Sequence, residues 1–184
     1  MVNTRIIAQK HQTNVRRASL LGSVALAVIC TAPAYAATQI QLTSSKLAEV
    51  IPLTSYSQNA SSNANSAGKN IAAVCGQVTI TKLIDQSSPI FLGAVLSVQT
   101  FPDMTITFSQ GTSSITPPFT YYTVQLGNVI ATSITQSDNA NNIITEQIVL
   151  SASQFRFTFF EQKPDGTTGP AVSFGFDCIT QTGS

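Results

Sequence analysis

The sequence predicts an all-β domain, and three observations carry that prediction. From Ala37 onward the chain is rich in Ser and Thr and holds ten Phe with many Val and Ile; branched and aromatic side chains fit a half-buried pleated surface better than a helix. Several segments alternate apolar and polar residues, which is the period of a strand with one face inside. Clusters of Ser, Asn, Asp, Gly and Pro punctuate these segments at short intervals. Residues 37–184 have the length of one domain with its own core, and they hold no internal repeat.

Gln39-Ile40-Gln41-Leu42 reads as the first strand. Val50-Ile51-Pro52-Leu53-Thr54-Ser55-Tyr56 reads as the second, with Pro52 near its start, where a missing ladder donor matters least. From Ser57 to Asn70 the run SQNASSNANSAGKN holds one charge and little to bury, so a long mobile loop is expected. Val78–Ile84 alternates and predicts a strand with one face inside. Ser88 before Pro89 marks a helix start: the serine can cap free amides, and proline at the first helical position loses nothing by lacking an N–H. The helix is expected to run through Ile90–Leu96 and to stop near Thr100 ahead of Pro102; it is short and largely apolar, so much of it is expected to be buried. Strands are then predicted at Met104–Phe108, Tyr121–Leu126 and Val129–Ile134. Beyond a turn at Ser137–Asn142, two more follow at Ile143–Leu150 and Gln154–Phe160, the latter with a Phe155, Phe157, Phe159 face. Lys163-Pro164-Asp165-Gly166 has turn chemistry and leads into a last strand, Ala171–Ile179, closing a hairpin.

The first 36 residues have a different character. Arg5, Lys10, Arg16 and Arg17 precede an apolar run from Ala18 to Cys30, Thr31-Ala32-Pro33 breaks it, and Ala34-Tyr35-Ala36 supplies small residues. This is the order of a signal peptide over residues 1–36 with cleavage between Ala36 and Ala37, so a secreted or periplasmic product is expected. The run falls short of the roughly 20 residues a membrane span needs. Ile29 stands where a lipidation signal at Cys30 would need a small residue. Arg16-Arg17-Ala18-Ser19-Leu20-Leu21 resembles a twin-arginine signal except at Ser19, so both the general and the twin-arginine routes stay open.

After processing, Lys46, Lys69, Lys82, Arg156 and Lys163 stand against eight acids, too few and too dispersed for nucleic acid or an anionic membrane. Cys75 and Cys178 remain, and export favours one long-range disulfide between them; two separately buried thiols are the alternative. The only histidine is His11. Its loss with the leader removes Ser-His and Cys-His nucleophile pairs and histidine zinc sites, and no phosphate-cradling glycine loop occurs. No cofactor is expected. Glu146, Glu161, Asp165 and Asp177 are the acids open to glycosidase chemistry. Asp165 is explained by its turn and Glu161 by a strand end, while Glu146 and Asp177 read as solvent-facing or paired. A small secreted hydrolase would rest on these carboxylates alone.

Three segments carry a resemblance. They are TKLIDQSSPIFLGAV at residues 81–95, Tyr121–Leu126 followed by Asn128-Val129-Ile130, and FRFTFFEQKPDGTTGPAVSFGFDCITQ at Phe155–Gln181. With the order lysine, Asp85-x-x-Ser88-Pro89, helix, and later Gln162-Lys163-x-Asp165-Gly166 between strands, the chain resembles the haemolysin-coregulated protein (Hcp) family, the tube subunit of type VI secretion systems. The resemblance implies a small β-barrel of two packed antiparallel sheets with one short α-helix. It implies a non-enzymatic subunit forming a homohexamer ring, with rings stacked into a hollow tube and type VI components or effectors as further partners. Ser57–Asn70 falls where the family has an extended loop that contributes to stacking, and its composition equally fits a solvated tether. Family subunits assemble in the cytoplasm without a cleaved leader, and the region before Ser57 is shorter here than in the family. A second reading therefore stands beside the first: an exported Hcp-fold protein repurposed as an extracellular fibre, matrix or adhesion component.

Overall fold

The structure, a computed structural model, describes residues 37–64, 70–111, 118–138, 143–163 and 167–184. Residues 1–36, with the expected leader and Ala36, lie outside the described residues, as do Asp165 and Gly166 of the expected turn. In chain order the elements are β1 (Ala37–Thr43), β2 (Ile51–Leu53), β3 (Ser55–Ala64), β4 (Asn70–Leu83), α1 (Ser88–Ser97), β5 (Thr100–Gly111), β6 (Phe119–Asp138), β7 (Ile144–Gln162), β8 (Thr168–Asp177) and β9 (Thr182–Gly183). The mainly-β class with one short helix is the architecture that the composition and alternation predict.

All strand pairs are antiparallel and belong to one sheet, whose main path is β2-β1-β5-β6-β7-β4-β3. Its two end strands, β2 and β3, are consecutive in the chain and separated only by Thr54, whose N–H donates to the carbonyl of Thr81 on β4 at 2.8 Å. The path thus turns back on itself, its end strands adjoining through Thr54, although β2 and β3 do not pair with each other. β8 leaves this path, pairing with β7 and with the two-residue β9.

The two layers expected from the resemblance are parts of this one sheet. On β5 the inward residues are Met104, Ile106 and Phe108, yet Phe101 of opposite parity is also buried. On β6 the inward set changes from Val124 and Leu126 to Val129 and Ala131, and on β7 from Ile148 and Leu150 to Phe155. The changes fall side by side, because Asp103 pairs with Gly127 and Gly127 with Gln154. Asn128 sits on this line at φ 49 and donates its amide to Ser153 Oγ at 3.2 Å. Strands turn from one layer to another at such local bends. The same phase change explains why the sequence pattern divides β6 and β7 into four strands: each half has its own alternation, while the backbone ladder runs through both.

Two further expectations are corrected. Ser57 to Ala64 is strand, not loop, and Asn70 opens β4; the two form a ribbon with Ala60 opposite Cys75 and Asn63 opposite Ala72. Polar composition had no bearing here, because a ribbon satisfies its backbone groups by cross-strand bonds without burying side chains. The helix α1 is only half-buried. Phe91 and Ala94 face the core, with the Phe91 ring 5.5 Å from that of Phe101, whereas Ile90, Leu92 and Leu96 are exposed, Leu96 by 77%. A ten-residue helix lying on the barrel offers one stripe to the core and leaves the rest to solvent or to a partner.

Candidate functional site

The motif residues converge where α1 meets β4 and β7. Along β4, Val78, Ile80 and Lys82 share one face, and along β7 so do Glu146, Ile148 and Leu150; all six are fully buried. Register places Lys82 directly opposite Glu146. Lys82 Nζ lies 2.9 Å from Glu146 Oε2, 2.8 Å from Asp85 Oδ1, and donates to Ser88 Oγ and to the Leu83 carbonyl at 3.0 Å. Ser88 Oγ donates to Glu146 Oε2 at 2.7 Å, and Gln136 donates to Glu146 Oε1 at 2.6 Å. Every buried side-chain polar atom among the described residues has a partner.

Ser88 does not cap the helix as its position before Pro89 suggests. The residue at the cap is Ser87, whose side chain makes no capping bond, and Pro89 occupies the first turn as expected. Ser88 points inward, and its hydroxyl accepts from the Asp85 N–H at 3.0 Å. Asp85 supplies the local turn, accepting from the Ser87 N–H at 2.8 Å. Burial pushes the Glu146 carboxyl up, but hydrogen bonds from Ser88, Lys82 and Gln136 and the Lys82 charge outweigh it and hold the group below the usual carboxylate range. Asp85 is shifted the same way, its partial burial outweighed by Lys82 and Ser87. Both Glu146 oxygens are engaged, Oε2 by Lys82 and Ser88 and Oε1 by Gln136, so the cluster ties α1 to β4 and β7. The sequence signal for it was parity: Lys82 and Glu146 continue the inward faces of Val78, Ile80, Ile148 and Leu150.

Cys75 and Cys178 form a disulfide with Cα atoms 6.1 Å apart, joining β4 to the turn after β8. In that turn, Asp177 Oδ1 accepts from the N–H groups of Ile179 and Thr180 at 2.9 Å, and Gln154 donates to Oδ2 at 3.0 Å. These bonds, the one from the Thr180 amide foremost, hold the Asp177 carboxyl below its ordinary range. Asp177 is a turn residue. Lys163 lies apart from all of these, at the end of β7, its N–H donating to the Thr167 carbonyl across the hairpin.

The third feature is an open aromatic face. In register across β7 and β8, Phe155 meets Phe176, Phe157 meets Phe174, and Phe159 meets Val172. Phe155 is buried, and exposure grows outward until Phe159 is 50%, Phe174 54% and Val172 71% exposed. Alongside, the outer edge of β8 from Thr168 to Phe174 has no strand partner among the described residues. Among the described residues no cluster of His, Cys, Asp or Glu could hold a metal ion, and no helix is long and apolar enough to cross a membrane.

A family model described as "Type VI secretion system effector, Hcp" matches residues 38–159. Similar solved structures include a type six secretion system protein, with TM-score 0.71 at 15% identity over 80% of this chain and 100% of that one. Hcp1 from Salmonella typhimurium aligns with TM-score 0.65 at 16% identity, over 80% and 99% of the two chains. A type VI secretion system effector from Yersinia pestis aligns with TM-score 0.58 at 16% identity, over 77% and 99%. At such identities the structural likeness concerns the fold. No curated protein sequence matches this chain.

Proposed function

Because the chain belongs to the Hcp family of the type VI secretion system, we propose that it is a structural, non-enzymatic subunit that closes with copies of itself into six-membered rings, which stack into a hollow tube able to carry effectors. The observation that carries this reading is the open aromatic face beside the unpaired edge of β8. A run of exposed Phe159, Val172 and Phe174 next to a strand edge with no strand partner among the described residues is an aggregation hazard in a monomer. Cyclic symmetry removes the hazard, since each edge is covered by a neighbour and the ring ends growth. The exposed outer stripe of α1 adds a second surface for contact. The test is electron microscopy and native mass spectrometry of the oxidised protein recovered from the periplasm. Six-fold rings are expected; a uniform monomer overturns the proposal.

One observation favours the second reading, an exported Hcp-fold protein serving as an extracellular fibre, matrix or adhesion component. The Cys75–Cys178 bond belongs to an oxidising compartment, and the leader-like residues 1–36 would take the chain there. A subunit sent singly across the inner membrane cannot join a tube built on the cytoplasmic side. Deleting residues 1–36 separates the two: if cytoplasmic protein supports contractile injection, the tube reading holds, and if only exported protein has a phenotype, the repurposed one does.

A further inference from the structure

The disulfide sits where a two-stranded arm leaves the barrel. β4 pairs with β7 only from Val78 to Leu83, whereas its distal part, Asn70 to Cys75, pairs with β3 alone. A two-stranded ribbon is marginal in water without further support. Between the two parts the register shifts, so that Asn59 faces both Gly76 and Gln77. Such a bulge bends the strand and interrupts its ladder. Glycine is required there, because a Cβ on residue 76 would lie 1.8 Å from the Asn59 carbonyl oxygen. Cys75 is the first residue beyond this bend, and its partner Cys178 is anchored to the barrel by its own N–H, which donates to the Ser153 carbonyl at 2.8 Å. A second tie runs from the Ala73 N–H to Gln181 Oε1 at 2.8 Å and is solvent-exposed. Beneath the arm lies a groove of about 290 Å³, with Ala60, Ala73 and Val74 on one wall and Phe157 and Phe174 on the other. At its base Cys75 packs against the edge of the core, and beyond it the arm is tied to the barrel by these bonds across the groove.

We propose that Cys75–Cys178 is a thiol–disulfide latch, which fixes the β3–β4 arm against the barrel in an oxidising compartment and releases it in a reducing one, with the bulge at Gly76 as the hinge. Closing requires an oxidant of the disulfide class, such as glutathione disulfide or a thiol–disulfide oxidoreductase. The thiolate of one cysteine attacks the oxidant's disulfide to give a mixed disulfide; the second thiolate then displaces the remaining thiol. One S–S bond forms as the oxidant's breaks, and the two electrons and two thiol protons end on the two thiols that the oxidant yields. Reduction by a dithiol runs the same exchange backward. Both cysteines are half-buried, and Cys75 borders the groove, which gives an exchange partner its approach. The latch belongs to a single chain and stands whether or not rings form.

The test is amide hydrogen exchange on the full chain at labelling times of seconds to a minute, oxidised, after dithiothreitol, and after reoxidation with glutathione disulfide. Reduction is expected to speed exchange at least about tenfold in residues 57–63 and 72–75 while β5, β6 and β7 stay protected, and reoxidation to restore the arm. The Cys75→Ser/Cys178→Ser variant is expected to match the reduced chain. Unchanged arm exchange on reduction overturns the latch. Loss of protection in β5 to β7 within the same time overturns it too, since the bond would then be a staple for the whole fold, and so does an arm that glutathione disulfide fails to restore.

Discussion

Lys82 and Glu146 form a fully buried ion pair. Both side chains are fully buried, and each depends on the other and on Ser88 for compensation. Removing one member leaves an uncompensated charge in the core, so Lys82→Ala is expected to destabilise the fold by about 3–5 kcal/mol. The double replacement Lys82→Met/Glu146→Leu should cost much less, because no charge is stranded. Urea midpoints of the single and double variants decide this. The depressed carboxyl pKa values of Glu146 and Asp85 set the pH dependence. Well above the ordinary carboxylate range of about 4, these groups are ionised in both folded and unfolded chains, and their stabilisation is fully present. As the pH falls through that range the unfolded chain takes up protons first, and stability is lost until the folded-state groups protonate as well. Urea midpoints measured from about pH 7 to about pH 3 should therefore fall on the acid side, and Glu146→Gln should show a shallower fall. The individual residues of this cluster were legible in the sequence, Lys82, Asp85 and Ser88 within one motif, but Glu146 was not attached to them. Nothing local relates residue 146 to residue 82; only the register of β4 against β7 does.

Two backbone positions with positive φ show how local chemistry shapes the elements. Val98 ends α1 at φ 53, with the Gln99 N–H donating to the Ala94 carbonyl at 2.9 Å, and its side chain is 69% exposed. A β-branched residue is strained there and buries little in return. Val98→Gly should raise stability by about 1 kcal/mol, read as a higher urea midpoint. Asn128 occupies the same region at φ 49, where asparagine is tolerated. Asn128→Val is expected to lower stability by roughly 1–2 kcal/mol and to lose the bond to Ser153, checked by the same measurement. The asparagine marks the line where β5, β6 and β7 change their inward parity. Sequence periodicity detects each half of these strands well, because alternation is a local property. It cannot join the halves, since a phase change looks the same whether the chain turns back or continues. The helix start was legible for the opposite reason: proline is tolerated only in the first turn of a helix, a constraint that acts locally, although Ser88 turned out not to be the cap. Which face of that helix is covered depends on the barrel beneath it.

For the molecule as a whole, the ring contact proposed for the open β7–β8 face can be tested apart from folding. Val172 is 71% exposed, so Val172→Lys removes little from the core and should leave the melting temperature nearly unchanged. In a ring the same lysine would have to be desolvated against a neighbour. Rings seen by electron microscopy or native mass spectrometry should give way to monomers in this variant, while circular dichroism stays that of the parent. Rings that persist would move the contact to another surface, such as the outer stripe of α1. The mainly-β class, the position of the helix and the final hairpin followed from sequence, because alternation and turn residues act through short-range rules, and the Cys75–Cys178 bond was the alternative that the sequence favoured over two separate thiols. The burial of Lys82 against Glu146, the continuity of β6 and β7, the paired arm where a loop was expected, and the half-exposed apolar helix came from the folded arrangement. Each depends on which strand lies beside which and on what covers a given face. Those are relations between residues far apart in the chain, and a pattern read along the chain does not contain them.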